Sequence, residues 1–268
     1  MILELKNIEK SFGEKKVLTG VSFKAEGGKA FGLLGRNGAG KTTSIRILMD
    51  VFPANSGEVL INGQPIDYNK IGIGYLPEER GLYPKKIIID QLTYFAELKG
   101  MSHKDAIKEI DYWLGRLGMM EYRNKRLDTL SKGNQQKIQL ITALAHNPDI
   151  IILDEPFSGL DPVNAMLLKD VVKEQIAKGK IVLFSSHQMS YIEEFCDSIA
   201  ILNNGVVALH GDLHDIKRDY PRDRLVVRTE YPEKIREDFG AACRVMDNGD
   251  LMIQLESADE KKAVMTRL

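Results

Sequence analysis

One short stretch restricts the possible folds of this chain more than any other. Residues 35–43 read GRNGAGKTT, in which two glycines separated by four residues are followed by lysine and threonine. The apolar run KAFGLLG leads into this loop and is typical of a buried strand, and TTSIRILMDVF after it places Ile45, Leu48, Met49 and Phe52 at helical spacing. Strand, glycine-rich loop and helix in this order predict a phosphate-binding loop rather than an ordinary glycine-rich turn.

The residue types in the loop suit phosphate binding. Glycines let backbone N–H groups turn toward phosphate oxygens, and the start of the following helix directs its dipole at the anion. Lysine supplies a positive charge, and a threonine hydroxyl is a ligand for Mg²⁺. We therefore expect a nucleotide to bind Gly35, Arg36, Asn37, Gly38, Ala39, Gly40, Lys41, Thr42 and Thr43.

A second informative stretch, PDIIILDEPFSGLDP, combines a predicted strand with two carboxylates. Ile150–Leu153 is apolar throughout, which is typical of a strand buried on both faces. Asp154 at its end is suited to holding a metal ion or its water, and Glu155 to polarising an attacking water. Acidic pairs also follow strands as solvated caps, but the phosphate-binding loop favours the catalytic interpretation.

With these two motifs and five others in order, the chain resembles the nucleotide-binding subunit of ATP-binding-cassette (ABC) transporters over roughly residues 1–215. TLSKGNQQK is similar to the signature motif, and SGLD (residues 158–161) to the D-loop. FSSHQM carries His187 at the switch-histidine position, YLPEERGLYP falls at the Q-loop, and Phe12 in KSFGEKKVL lies where the family stacks an aromatic ring on adenine.

The resemblance implies ATP and Mg²⁺ as ligands and gives each motif a role. Catalysis falls to Glu155 as general base, to His187 as sensor of the γ-phosphate and to Lys41. The metal ligands implied are Thr42, Glu78 and Asp154. The remaining implied contacts to nucleotide, some across a subunit interface, come from Phe12, Glu78, Ser131, Gly133, Asn134 and Asp161. Read from the residues alone, Ser131 is equally a simple helix cap, and a lone histidine is more often structural.

Three departures from the family pattern are specific to this chain. Glu78 replaces the Q-loop glutamine and offers Mg²⁺ a charged oxygen instead of a neutral one, although the neighbouring Glu79 leaves a one-residue ambiguity. In the signature, Lys132 replaces the first glycine and Asn134 the glutamine. These variants are most similar to the sodium-efflux, NatA-like exporter branch.

We expect an α/β P-loop NTPase fold of the ABC ATPase type, with a mixed central sheet, an antiparallel β subdomain and a helical signature subdomain. The ATP-binding domain is predicted at residues 1–215, with its strands at 1–27 and 57–75 in the antiparallel sheet and its helical part at about 83–146. Within the helical part, Ser102, with Asp105 three positions on, is predicted to cap a helix. DSIAILNNGVVALHG is predicted to be a hairpin. DIKRDYPRDR is interpreted as a connector to a small α+β appendage at residues 216–268, which ends inside a helical pattern, as a truncated chain would.

Net charge, cysteine spacing and the length of apolar runs indicate the cellular compartment in which the chain is expected. The net charge is −1, which gives no field for recruiting nucleic acid, and the two cysteines lack metal-ligand spacing. No apolar run approaches the roughly 18 residues of a membrane span, and the N-terminus does not read as a secretory signal. We expect a cytoplasmic protein bound peripherally at the inner face of the cell membrane.

The expected partners are an integral-membrane permease subunit and a second ATP-binding subunit, in a homodimer or a related heterodimer, and no nucleic acid. Candidate permease contacts are Tyr83, Ile87, Ile88, Ile89, Tyr94 and Phe95, with core packing as the competing interpretation. A non-transport ABC ATPase, such as a ribosome-associated factor, is the alternative function. A regulatory ATP sensor that lacks hydrolysis is disfavoured by Glu155 and His187. The sequence leaves the transported substance open.

Overall fold

The computed structural model describes residues 1–79, 81–157, 160–219, 223–229, 231–246, 248–255 and 260–267. Contacts divide the chain into two compact units, Met1–Leu213 and His214–Leu268. No helix among the described residues has the length and apolar character needed to cross a membrane.

The first unit contains two sheets and a group of helices. Its strands are β1 (Ile2–Phe12), β2 (Lys15–Glu26), β3 (Ala30–Leu34), β4 (Ser56–Ile61), β5 (Gln64–Pro65), β6 (Ile73–Leu76), β7 (Ile150–Asp154), β8 (Ile181–Ser186), β9 (Ser198–Asn203) and β10 (Val206–Asp212). Its helices are α1 (Lys41–Leu48), α2 (Ile88–Leu98), α3 (His103–Arg116), α4 (Lys132–Leu144), α5 (Pro162–Ala177) and α6 (Met189–Phe195). Helix α7 (Leu213–Asp219) begins at the last residue of this unit.

The larger sheet has the strand order β10-β9-β3-β8-β7-β6. All neighbouring pairs are parallel except β9 and β10, which form the predicted hairpin. Strands β3, β7 and β8 are buried along their whole length, which explains their nearly continuous apolar sequences. The predicted mixed central sheet is confirmed, and the carboxyl ends of β3, β7 and β8 lie side by side.

The smaller sheet is antiparallel, in the order β2-β1-β4-β5. The prediction for residues 57–75 was wrong in one part, because β6 pairs in parallel with β7 and belongs to the larger sheet. Alternation and glycine punctuation identify a strand but carry no information about its partner, so β6 could not be assigned to a sheet from sequence.

Helix α1 is shorter than its apolar pattern suggested. Ile45 and Leu48 are buried as predicted, but the helix ends at Leu48. Met49 is its C-cap, Asp50 follows with a left-handed φ of 57°, and Phe52 lies beyond the helix. Apolar residues keep the helical spacing beyond Leu48, but the backbone has already left the helical conformation at Asp50.

The predicted helical region holds α2, α3 and α4. The two predicted caps are confirmed, since Ser102 accepts a hydrogen bond from the Asp105 N–H and Ser131 from the Asn134 N–H. Ile88 and Ile89 are buried, so the core interpretation holds for these two. The candidate contact residues Tyr83, Ile87 and Tyr94 are exposed, and Phe95 is half-buried.

The second unit is a small α+β fold. It contains β11 (Arg224–Val227), α8 (Pro232–Phe239), β12 (Cys243–Val245), β13 (Leu251–Gln254) and α9 (Glu260–Arg267), and its antiparallel sheet has the order β11-β13-β12. A separate core of Ile235, Leu251, Ile253, Leu255 and Val264 holds it together. The connector interpretation was wrong for residues 215–219, which are part of α7.

Two glycines provide a test of how tightly α4 packs on the larger sheet. A Cβ atom on Gly74 in β6 would lie 2.0 Å from the Ala143 carbonyl oxygen of α4, whereas Gly115 in α3 has nothing within 4 Å. We expect Gly74→Ala to lower the free energy of unfolding by about 1–3 kcal/mol through overpacking. The matched Gly115→Ala change should raise it by up to about 1 kcal/mol through helix propensity. Urea denaturation of both variants measures this, and equal effects would contradict the packing.

Candidate functional site

The glycine-rich loop lies between β3 and α1, and its shape requires glycine at two positions. Gly38 has a φ of 81° and Gly40 a φ of 110°, both in the left-handed region. A Cβ atom on Gly40 would also lie 2.5 Å from Cδ2 of Leu18. The loop is therefore packed closely against Leu18 at Gly40, immediately before α1 begins at Lys41.

A cavity of about 630 Å³ opens above this loop. It brings together most of the predicted loop residues with the predicted acids, namely Arg36, Asn37, Gly38, Gly40, Lys41, Thr42, Thr43, Glu78, Asp154 and Glu155. Four further lining residues, Lys15, Lys16, Val17 and Asn204, were not predicted. The lysines are the first two residues of β2 and Asn204 lies in a hairpin turn, and only the pair of adjacent lysines was a visible signal of positive charge.

Two predicted loop residues shape the cavity without lining it. The Gly35 carbonyl accepts a hydrogen bond from the Lys41 Nζ at 2.7 Å, which holds this buried ammonium across the loop. Ala39 donates its N–H to the Arg36 carbonyl and accepts from the Gly205 N–H, both at 3.1 Å. That these two residues contact the nucleotide remains a prediction.

Asp154 ends β7 in a buried position. The Tyr75 hydroxyl donates to its Oδ2 at 3.3 Å. Burial raises the pKa of the Asp154 carboxyl above its ordinary value, while Tyr75 and the Lys41 charge act in the opposite direction. Burial, together with the nearby Asp154 carboxylate, also raises the pKa of Tyr75, so the phenol stays protonated and remains a donor.

Glu155 is buried and has an unusual backbone, with a φ of 47°. Its Oε1 accepts the His187 N–H at 2.8 Å and lies 2.7 Å from the His187 Nδ1, and its Oε2 accepts the Ser186 hydroxyl at 3.0 Å. The His187 side chain is 49% exposed and is not among the residues that line the loop cavity. The structure thus places two of the three predicted catalytic side chains, Glu155 and His187, in direct contact.

The ambiguity between Glu78 and Glu79 has a geometric answer. Both exposed side chains line a second cavity of about 770 Å³, which also reaches Thr42 and Asp154. Only Glu78 lines the cavity above the glycine-rich loop as well. Of the two adjacent glutamates, Glu78 is therefore the one that lines both cavities.

The signature and D-loop residues form a separate cluster. Ser131 caps α4, with the Asn134 N–H 3.4 Å from its Oγ. Asp161 caps α5 through the Asn164 N–H at 2.9 Å, and hydrogen bonds from Asn164 lower the pKa of the Asp161 carboxyl. A Cβ atom on Gly133 would lie 3.0 Å from the Asn164 side chain, so the two helix starts touch. Ser158 and Gly159 of the D-loop lie outside the described residues.

None of the signature-cluster residues Ser131, Gly133, Asn134 and Asp161 is among those that line the loop cavity. Phe12 is also outside this lining. It is half exposed at the end of β1, pairs in register with Lys15, and packs edge-to-face on Phe52 at 5.5 Å between ring centroids. Apart from Phe12, the predicted nucleotide contacts thus form two groups within one chain. The loop group lies around the glycine-rich loop, and the signature group comprises Ser131, Gly133, Asn134 and Asp161.

Comparison with known proteins decides the family. The profile of the ABC transporter family matches residues 18–158. An uncharacterised ABC transporter ATP-binding protein of Bacillus subtilis, YhaQ, is 45% identical over all of this chain and 90% of its own length. The chain belongs to the ABC transporter family. It is an ATP-binding subunit, and the predicted family is confirmed.

Other relatives of this ABC subunit are more distant. The linearmycin resistance ATP-binding protein LnrL of B. subtilis is 31% identical over all of this chain and 89% of its own length. NatA of the same organism is 32% identical over 80% of this chain and 91% of its own. A solved ATP-binding subunit of an ABC transporter superposes with a TM-score of 0.75 at 32% identity, covering 82% of this chain and 93% of its own. A dimeric bacterial ABC transporter cassette superposes at 0.70 with 25% identity, covering 79% and 98%.

Lys41 provides the most direct test of the loop cavity. Its buried ammonium is paired only with a carbonyl among the contacts described, so an anionic phosphate would gain a charge-assisted bond there. We expect Lys41→Met to weaken binding of a fluorescent ATP analogue by about 10-fold to 100-fold. The control Lys70→Met removes a surface lysine paired with Asp67 and should bind normally. Unchanged affinity in Lys41→Met would exclude this lysine from the site.

Proposed function

We propose that this ABC subunit hydrolyses ATP to drive export through a separate integral-membrane permease, working as a pair with a second ATP-binding subunit. The observation that carries the proposal is the convergence of Lys41, Asp154 and Glu155 on one cavity, with His187 hydrogen-bonded to Glu155. This is the set of charges that phosphoryl transfer to water needs.

The residues present fit ATP and Mg²⁺. Gly38 and Gly40 line the cavity and add no side chain to it, which leaves room for phosphate oxygens. Thr42, Glu78 and Asp154 supply the hydroxyl and carboxylate oxygens that Mg²⁺ prefers. When bound, Mg²⁺ neutralises charge on the phosphate tail. The charged oxygen of Glu78, where relatives use an amide, favours retention of metal binding at this position.

For hydrolysis, Glu155 is the general base. A water in line with the γ-phosphate gives its proton to the Glu155 carboxylate as its oxygen attacks. His187 is proposed as the sensor of the γ-phosphate, because its half-exposed ring can turn from Glu155 toward the cavity. Lys41 stabilises the negative charge that develops on the phosphate oxygens.

The signature residues require a second subunit in this proposal. Ser131, Gly133 and Asn134 begin a helix of 13 residues whose N-terminus is an anion site, yet they are separate from the loop cavity of their own chain. We propose that they, with Asp161, face the γ-phosphate held by the second subunit, and that Phe12 stacks on the adenine. The similar dimeric cassette supports this arrangement. The second subunit is either another copy or a related chain.

Export is the proposed direction. LnrL is named for resistance to linearmycin, which is consistent with removal of a compound from the cell. The variants Glu78, Lys132 and Asn134 resemble the NatA-like branch, and sodium or drug-like cargo is proposed on that basis. The subunit would act at the inner face of the cell membrane, held there by the permease. The proposed domain limits are 1–215 for the ATP-binding domain and 216–268 for the accessory domain.

The second cavity is the proposed docking groove for the permease. Apolar side chains of Met49, Val51, Leu82, Phe95 and Leu98 line it, and Leu98 is 64% exposed. An exposed apolar groove of this size favours an apolar partner segment. Glu78 and Asp154 line the same groove, so a segment bound there would touch the side chains proposed to hold the metal.

The proposed chemistry predicts a specific effect of Glu155→Gln. Removing the base should slow ATP hydrolysis by at least about 100-fold, while the affinity for a fluorescent ATP analogue stays near that of the unmodified chain. Phosphate release measures the first and fluorescence titration the second. The matched control is Glu121→Gln, which changes an exposed acid in a 3-10 turn. Near-normal turnover in Glu155→Gln would remove Glu155 from this role.

The docking groove predicts a separate effect. Leu98→Glu puts a charge into the apolar groove and should abolish co-purification with the permease, while basal ATP hydrolysis of the isolated subunit is kept. Met120→Glu, which adds the same charge at an exposed methionine outside the groove, should leave co-purification unchanged. Equal retention of the permease by both variants would place the docking surface elsewhere.

A further inference from the structure

Both oxygens of the Glu155 carboxylate are held by strand β8 and the residue that follows it. His187 occupies Oε1 with its backbone N–H and ring, and Ser186 occupies Oε2 with its hydroxyl at 3.0 Å. The backbone of Glu155 is tied to the same strand, since its N–H donates to the Ser185 carbonyl at 2.9 Å. Both the backbone and the side chain of Glu155 are thus hydrogen-bonded to β8 and the residue that follows it.

The two side chains that hold the carboxylate differ in how deeply they are buried. Ser186 is 4% exposed, and its Oγ also accepts the Gln188 N–H at 3.1 Å. A carboxylate only accepts, so the single hydroxyl proton of Ser186 is donated to Glu155. The His187 ring, in contrast, is about half exposed. Ser186 is therefore the fixed anchor of the pair.

The backbone of Glu155 increases the need for such an anchor. A left-handed φ of 47° is strained for a residue with a side chain and persists only where the surroundings impose it. Proline follows at position 156, which prevents the next backbone nitrogen from donating a hydrogen bond. The direction of the Glu155 carboxylate thus depends on the hydrogen bonds that its own oxygens accept.

We propose that Ser186 is a positioning residue for ATP hydrolysis, whose hydroxyl keeps the Glu155 carboxylate directed at the attacking water when His187 turns to the γ-phosphate. This inference rests on the proposed role of Glu155 as general base. Ser186 itself touches neither nucleotide nor water in this account. It acts by limiting the orientations of Glu155, and so it should affect turnover and leave nucleotide binding unchanged.

The first test is Ser186→Ala in the full chain. We expect kcat to fall about 10-fold, the typical effect of losing one hydrogen bond to a charged group, with KM and the affinity for a fluorescent ATP analogue within about twofold of the original. Ser186→Cys, which nearly keeps the volume but donates weakly, should show the same loss, and Ser186→Thr, which keeps the hydroxyl, should recover most of the activity.

A buried hydroxyl elsewhere supplies the control for nonspecific effects. Thr93 in α2 is buried, and its hydroxyl has no hydrogen-bond partner among the described residues. Thr93→Val should leave kcat unchanged. An unchanged kcat in Ser186→Ala, or a loss of nucleotide affinity as large as the loss of kcat, would overturn the positioning role.

A double-mutant cycle separates this inference from the proposed function. If Ser186 acts through Glu155, adding Ser186→Ala to Glu155→Gln should not slow single-turnover hydrolysis of radiolabelled ATP any further. The same 10-fold loss in both backgrounds would show an independent role and overturn the inference. Near-normal turnover of Glu155→Gln by itself would instead refute the assignment of the base, which is a distinct failure.

Discussion

The requirement to place backbone N–H groups and one lysine around a phosphate chain determines much of this structure. Gly40 lies against Leu18 with no space for a side chain, so the shape of the loop between β3 and α1 depends on glycine at this position. That shape needs a rigid support, and β3 supplies it as a fully buried strand between β8 and β9. The strand order then brings the ends of β7 and β8 beside the loop, so that Lys41 lines the same cavity as Asp154 and Glu155, which lie far from it in the sequence.

The sequence was most informative where function depends on adjacent residues. The loop, the acids after β7, the caps Ser102 and Ser131 and the β9–β10 hairpin are local patterns with local causes, and the structure contains all of them. Lys15 and Asn204 line the same cavity but arrive there only through the packing of β2 and of the hairpin, which no local pattern records. The sheet to which β6 belongs and the end of α1 at Leu48 are also set by tertiary packing rather than by periodicity.

The separation of the loop group from the signature group gives the proposed function its central feature. Each chain offers a loop cavity and a capped helix start, and these belong to different parts of the same unit. In the proposed function, a site built from both needs two chains, so nucleotide binding and subunit pairing would be one event. Because the proposed docking groove also contacts Glu78 and Asp154, the permease would act on the same site through its own bound segment.

The most direct measurement of this central claim is the mass of the full chain in solution, by light scattering, with Mg²⁺ and a slowly hydrolysed ATP analogue. The account predicts a species of twice the 30.1 kDa chain mass that contains one nucleotide per chain. Gly133→Asp, which places a negative charge at the signature helix start, should bind the analogue and remain single. An unmodified chain that is saturated with analogue but keeps the mass of one protomer, both alone and when mixed with a related ATP-binding subunit, would contradict the account.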